Sequence, residues 1–340
     1  MALISGVGGT FIYDVTDPVH PQAVCQIAHT SARILTGTSF EYLVPHPNGT
    51  TDVVLHSLGS NSEAVAATFR ADLWNGNIES PFASVAWYAA PKVIGYSTDG
   101  GTDANGQGVT DVWVATTTAV SKLYSYSVPG VDAFARPGLP APVLAISPDE
   151  AYVAAGWAIH NTIHVFRLSD NADVSPPGPN DAWSAVWSER GHTLYLIGRT
   201  GVQLWTPESG VSDLPNTTGW VLQPNFAPDG SQLAFTAVDA NHNIRSYVYD
   251  FTAKASRVLI DQPRSGAMFV KSNWIWLLEE ATCQPSSNQV CFDPTLPDGN
   301  VLAMNVATGA ERAVSFATGE SPLQLPYGVY MSRVDIWPKV

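Results

Sequence analysis

The densest run of oxygen-bearing side chains is residues 98–109, TDGGTDANGQGV. Asp99, Asp103 and Asn105, set among glycines, have the oxygen-rich, tight-turn chemistry that calcium loops use. The bidentate Glu that closes an EF-hand loop is missing at the required spacing, so the plainer reading is a solvated loop. His160 in AIHNTI and His242 in DANHNI occupy equivalent loops of two repeats and could share a metal; two solvated loop histidines are the alternative. His164, four residues beyond His160, falls inside a strand-like run and reads as a packed residue. Asp181-Ala182-Trp183 leads into an apolar strand, and Trp220 does the same one repeat later. An indole at a concave mouth is a platform for a sugar ring or a cation. Packing between repeats is the competing use.

Cys283 and Cys291 bracket a polar segment, CQPSSNQVC, a spacing that suits a loop-pinning disulfide in an oxidising compartment. They lie in residues 280–300, the longest insertion, and a stiffened long loop suits a binding surface. Cys25, in QAVCQIAH, reads as a small buried hydrophobe. The sequons at Asn48 and Asn216 decide nothing at this stage. Glu279 and Glu280 are adjacent and would point to opposite faces of a strand, so they form no acid/base pair. No G-x-S-x-G elbow, P-loop, Rossmann fingerprint or zinc-finger spacing occurs.

Composition narrows the partners. The 340 residues carry 30 acids against 16 Lys and Arg, for a net charge of −14. Phosphate backbones and anionic membrane surfaces are held by cations, so this field disfavours both. No apolar stretch is long enough for a spanning helix. The opening residues, MALISGVGGTFIYDV, lack the basic and long apolar regions of a signal peptide. With the cysteine pair, the expected location is extracytoplasmic, the targeting segment lying outside this chain; the cytoplasm is the alternative.

The elements that must position these residues are strands. Charged residues make up only 14%, too few for the outer faces of many soluble helices. Seven short hairpins recur, at 10–24, 52–67, 111–126, 162–174, 202–214, 246–260 and 302–314. Each joins two β-branched or aromatic runs through an Asp, Ser, Thr or Gly turn. Tyr13, Leu55, Val114, Phe166, Trp205, Tyr249 and Met304 hold equivalent positions, 39 to 59 residues apart. That matches the blade period of a β-propeller, roughly 40–50 residues. A second hairpin precedes most of the first set, as in VLAISPDEAYVAAGW, PNFAPDGSQLAFTAV and SAVWSERGHTLYLIG, with degenerate copies at 84–97, 266–280 and 328–338.

The segments AISPDEAYVAAG and NFAPDGSQLAFTA resemble the blade motif of TolB-type, WD-repeat-like β-propellers. The motif match covers about two blades; the rest of the chain follows by period and pattern. The resemblance implies a rigid scaffold with its usual binding face on the inter-blade loops and the loops between second and third strands. It is nearly silent on chemistry, because the family includes binding scaffolds, interaction platforms and a few enzymes.

The expectation is an all-β propeller of four-stranded antiparallel blades forming one domain, 1–340, with seven blades, six or eight being the alternatives. The N-terminal segment should supply an outer pair and the C-terminal segment an inner pair to one shared blade. The expected function is a non-catalytic binding or protein–protein interaction module. It would be a monomer or part of a larger chain, with a protein or carbohydrate ligand, no nucleic acid and no cofactor other than a candidate calcium. The alternative is a lyase or hydrolase acting on polysaccharide or a small molecule at the channel mouth.

Overall fold

The computed structural model describes residues 1–6, 9–29, 32–73, 85–132, 143–157, 162–176, 182–188, 192–198, 200–215, 217, 220–238, 244–260, 264–279, 301–316 and 333–336. Those residues form 28 strands and no helix. The strands build seven four-stranded antiparallel sheets, the blades of a β-propeller.

The first blade takes β1 (Ala2–Gly6), β2 (Gly9–Asp14) and β3 (Gln22–Ile27) from the start of the chain. The second is β4 (Ala32–Thr36), β5 (Ser39–Pro45), β6 (Thr51–Ser57) and β7 (Ser62–Phe69). The third is β8 (Val85–Ala86), β9 (Ile94–Thr102), β10 (Gln107–Ala115) and β11 (Val120–Asp132). The fourth is β12 (Val143–Ile146), β13 (Tyr152–Trp157), β14 (Thr162–Arg167) and β15 (Ala172–Asp173). The fifth is β16 (Ala182–Trp187), β17 (Leu194–Gly198), β18 (Val202–Thr206) and β19 (Gly210–Asp213). The sixth is β20 (Trp220–Phe226), β21 (Gln232–Val238), β22 (Ile244–Asp250) and β23 (Ala255–Val258). The seventh is β24 (Arg264–Lys271), β25 (Trp274–Glu279), β26 (Val301–Asn305) and β27 (Glu311–Ala313). The last strand, β28 (Arg333–Ile336), returns to the first blade, whose order is β28-β1-β2-β3.

All seven outer hairpins fall where the repeat places them. Two details differ from the sequence reading. The shared blade is built three strands to one, because β1 pairs with β2 (Leu3↔Ile12) as well as with β28 (Leu3↔Asp335). Residues 328–331, expected to give a second C-terminal strand, lie outside the described residues. The second blade also has an inner pair, β4–β5, that the repeat pattern passed over; its two-residue turn is Gly37-Thr38, between Thr36 and Ser39.

By contacts the chain divides into two compact units, residues 1–30, 199–202 and 213–340, and residues 31–198 and 203–212. In the first, Ala234, Val248, Phe269, Ile275, Leu277 and Met304 bury the interface of the sixth and seventh blades. Tyr13, Trp276 and Phe316 meet edge to face at 5.5–6.3 Å between the seventh and first. Burial pushes the Tyr13 phenol up to about 12. In the second unit, Leu43, Phe69, Trp87, Ile94 and Tyr96 join the second and third blades. Val165, Trp187, Leu194 and Trp205 join the fourth and fifth. Tryptophan is thus used heavily for packing between blades, where a large apolar ring contributes most.

Candidate functional site

The Pro-Asp turns of the sequence are the turns between first and second strands, and they hold neighbouring blades together. In the turn after β12, Ser147 Oγ donates to Asp149 at 2.7 Å and receives the Tyr152 amide at 2.9 Å. Glu150 takes φ +57°, the place that Gly230 fills at +69° in the matching turn of the sixth blade. The strained Glu150 reaches back to the third blade, accepting the Lys92 amide at 2.9 Å. Asp149 reaches forward and accepts from Nε2 of His192 in the fifth blade. Similarly, the buried Glu41 of β5 accepts the Ala90 amide of the third blade at 2.5 Å. These acids are scaffold.

The third blade is different. Its β9 and β10 run nine residues each and β11 runs thirteen, longer than any other described strand. Residues 98–109, expected as a loop, are therefore the end of a long β-hairpin. Its tip is a three-residue turn: the Asp103 amide donates to the Gln107 carbonyl at 2.9 Å and the Gly106 amide to the Asp103 carbonyl at 3.0 Å. Asp103 Oδ1 also accepts the Asn105 and Gln107 amides, at 2.8 and 2.9 Å. Those amides, Gln107 first, hold the Asp103 carboxyl below the usual range. Asp99 accepts the Gly101 amide at 2.7 Å. The oxygen-rich chemistry seen in the sequence is largely turn chemistry here. Among the described residues, no three His, Cys, Asp or Glu side chains gather as a metal would need.

Residues that sequence reasoning missed lie at the base of this hairpin. Asp111 on β10, 9% exposed, accepts Ser125 Oγ at 2.6 Å and Lys122 Nζ at 3.3 Å, both from β11. The Lys122 ammonium also sits 5.4 Å from the Trp113 ring centre, a cation–π contact. Trp113 Nε1 donates to Thr98 Oγ1 at 2.9 Å, and its ring stacks on Tyr96. Gly100 is needed beside them: a Cβ there would lie 2.8 Å from Val109 Cγ1 and 3.0 Å from the Asp111 carboxyl. The alternation Asp111-Val112-Trp113 marks a two-faced strand in the sequence; which β11 residues face it depends on a bulge between Val112 and Trp113.

The remaining sequence candidates are dispersed. Trp183 and Trp220 stand at or next to the start of the first strands β16 and β20, as expected, and their side chains fall outside the described residues. Asp181, His160, His242, Cys283, Cys291 and the 280–300 insertion also lie outside them. His164 packs in the sheet as read: its ring stacks on Tyr124 of the third blade at 4.4 Å, and Nδ1 lies 3.0 Å from Asp173. Cys25 departs from the buried reading. It sits half-buried on β3, its thiol 3.8 Å from the Gln26 carbonyl, because β3 is the outermost strand of its blade and Gln22, Ala23, Val24 and Gln26 are all exposed.

No protein-family model and no curated protein sequence matches the chain. Solved β-propellers are similar to it. TolB from Acinetobacter baumannii aligns over 75% of this chain and 61% of its own length, with 14% identity and a TM-score of 0.42. A putative TolB from Agrobacterium tumefaciens aligns over 78% and 91%, with 12% identity and a TM-score of 0.44. The propeller domain of the Trilobed protease from Pyrococcus furiosus aligns over 83% and 81%, with 11% identity and a TM-score of 0.45. The chain thus spans about three fifths of the Acinetobacter TolB structure.

Proposed function

We propose that this chain is a non-catalytic binding module, a propeller scaffold that presents the long third-blade hairpin to a protein or carbohydrate partner outside the cytoplasm. The observation behind this reading is the extension of β9, β10 and β11 beyond the strands of every other described blade. Insertions on a rigid scaffold are where recognition is built. The exposed tip offers backbone amides, carbonyls and the Asp99 carboxylate. At its base, Lys122 lies across Trp113 and beside Asp111. The net charge of −14 favours neutral or cationic partners. The Cys283–Cys291 spacing supports an oxidising compartment. Trp183 and Trp220 are proposed as further contacts.

The test is an oligosaccharide and basic-peptide binding screen, run with the full chain and with a variant whose residues 99–106 are shortened to a tight turn. Binding without release of new sugar ends, lost in the shortened variant, supports the reading. Turnover of an oligosaccharide, or binding indifferent to the shortening, overturns it.

A further inference from the structure

Two second-to-third-strand turns in neighbouring blades are the same turn with different side chains. In the second blade it is His46-Pro47-Asn48-Gly49-Thr50; in the third it is Asp103-Ala104-Asn105-Gly106-Gln107. The backbone bonds correspond: His46 amide to Thr50 carbonyl at 2.8 Å, and Gly49 amide to His46 carbonyl at 3.2 Å, repeat the Asp103–Gln107 and Gly106–Asp103 bonds. Gly49 at φ +80° matches Gly106 at +76°. Both turns place an exposed Asn before a Gly.

The side chains divide them. In the second blade, Asn48 Oδ1 is held twice, by the Thr50 amide at 3.1 Å and by Thr50 Oγ1 at 2.7 Å. In the third blade the corresponding amide, that of Gln107, is taken by Asp103. Among the described residues no group bonds the Asn105 side chain, so its carboxamide is left to rotate. The two glycines are alike: the Gly106 amide donates to the Asp103 carbonyl at 3.0 Å and the Gly49 amide to the His46 carbonyl at 3.2 Å, and nothing lies within 4 Å of where either Cβ would stand, so the sites differ in the hold on the Asn side chain.

We propose that Asn105 is a site of spontaneous covalent modification, deamidating through a succinimide, and that Asn48 is protected by Thr50. The Gly106 amide parts from the Asp103 carbonyl, as the Gly49 amide must part from His46, loses its proton to solvent and attacks Asn105 Cγ. The Cγ–Nδ2 bond breaks and ammonia leaves, closing a five-membered imide. Water then opens either carbonyl, giving aspartate or isoaspartate. Each event adds one negative charge beside Asp103 at the tip of the hairpin, and the isoaspartate product lengthens the backbone within the turn. The proposal is independent of whether the hairpin binds a ligand.

The experiment is peptide mapping of the full chain by mass spectrometry during incubation in mildly alkaline buffer. The two sites are compared within one molecule, so folding and buffer are common to both. Asn105 converts roughly tenfold faster than Asn48, the factor expected if forming the imide at Asn48 must break two ordinary hydrogen bonds. Thr50→Ala removes one hold and brings the Asn48 rate towards that of Asn105. Equal rates, a faster Asn48, no conversion at Asn105, or an Asn48 rate unmoved by Thr50→Ala would each overturn the proposal.

Discussion

His192 of the fifth blade donates from Nε2 to Asp149 of the fourth, and the same Asp149 carboxylate closes its own turn by accepting Ser147 Oγ and the Ala151 amide. Burial pushes the Asp149 carboxyl up, but the donors, His192 foremost, outweigh it and hold it below the usual range. Its stabilising effect is therefore complete above the unfolded carboxyl value and lost as pH falls through the lower folded one. The carboxylate is about half exposed, so its worth is that of a screened surface pair. Asp149→Ala should lower stability by about 1 kcal/mol at neutral pH. Urea titrations at neutral and strongly acidic pH should show the difference between variant and parent shrinking in acid.

Glu41 has the opposite sign. Its side chain is buried, with the Ala90 amide as partner, and burial raises its carboxyl above the usual value. The folded state keeps that proton longer than the unfolded chain, so stability falls as pH rises from the unfolded value to the folded one. Glu41→Gln retains an acceptor for Ala90 and removes the charge. It should leave the protein as stable or more stable at neutral pH, by up to about 1 kcal/mol, and flatten the pH dependence between mild acid and neutrality. A variant clearly less stable than the parent at neutral pH would show that the ionised form is the one the site prefers.

Gly201 sits at φ +133°, and a Cβ on it would run into the Thr217 carbonyl oxygen. Thr217 is itself fixed, donating to the Leu214 carbonyl at 2.8 Å and accepting the Val202 amide at 3.1 Å. Neither neighbour can yield cheaply, so Gly201→Ala should cost about 3 kcal/mol or more. Ala substitution at Gly210, where nothing lies within 4 Å, should cost about 1 kcal/mol from its positive φ alone. Thermal melts of the two variants give the comparison.

Thiol titration of denatured, unreduced protein should find one reactive cysteine, Cys25. Because Cys25 is half-buried on an outer strand, slower labelling of the same thiol is expected in the folded protein. Three thiols would remove the disulfide and favour a reducing compartment.

Much of the scaffold is legible in the sequence because blade strands are short, β-branched or aromatic, and separated by turns with backbone chemistry of their own. Tyr13, Val114, Phe166, Trp205, Tyr249 and Met304, aligned by period, are all buried on third strands. Leu55 is half-buried, its neighbours Val54 and His56 taking the deeper places. The pair β4–β5 escaped the pattern because RILTGTSFEYLV carries no Pro-Asp punctuation. The first-blade strand β1 escaped because its Gly-rich link to β2 reads as a loose chain end. The site was less legible. That Asp111, Trp113, Lys122 and Ser125 meet depends on cross-strand register and on a bulge, which composition does not encode.

The pairing of β1 with β28 also sets a timetable. Three strands of the first blade leave the ribosome well before the fourth, residues 333–336, which lies about 330 residues beyond β1 along the chain. At roughly 5–20 residues per second, the open edge of β1 waits about twenty seconds to a minute for its partner. An unpaired edge accepts any strand of suitable length, and the neighbouring nascent chain on the same message carries an identical β28. Rapid expression should therefore yield dimers that have exchanged this strand, each first blade completed by the other chain.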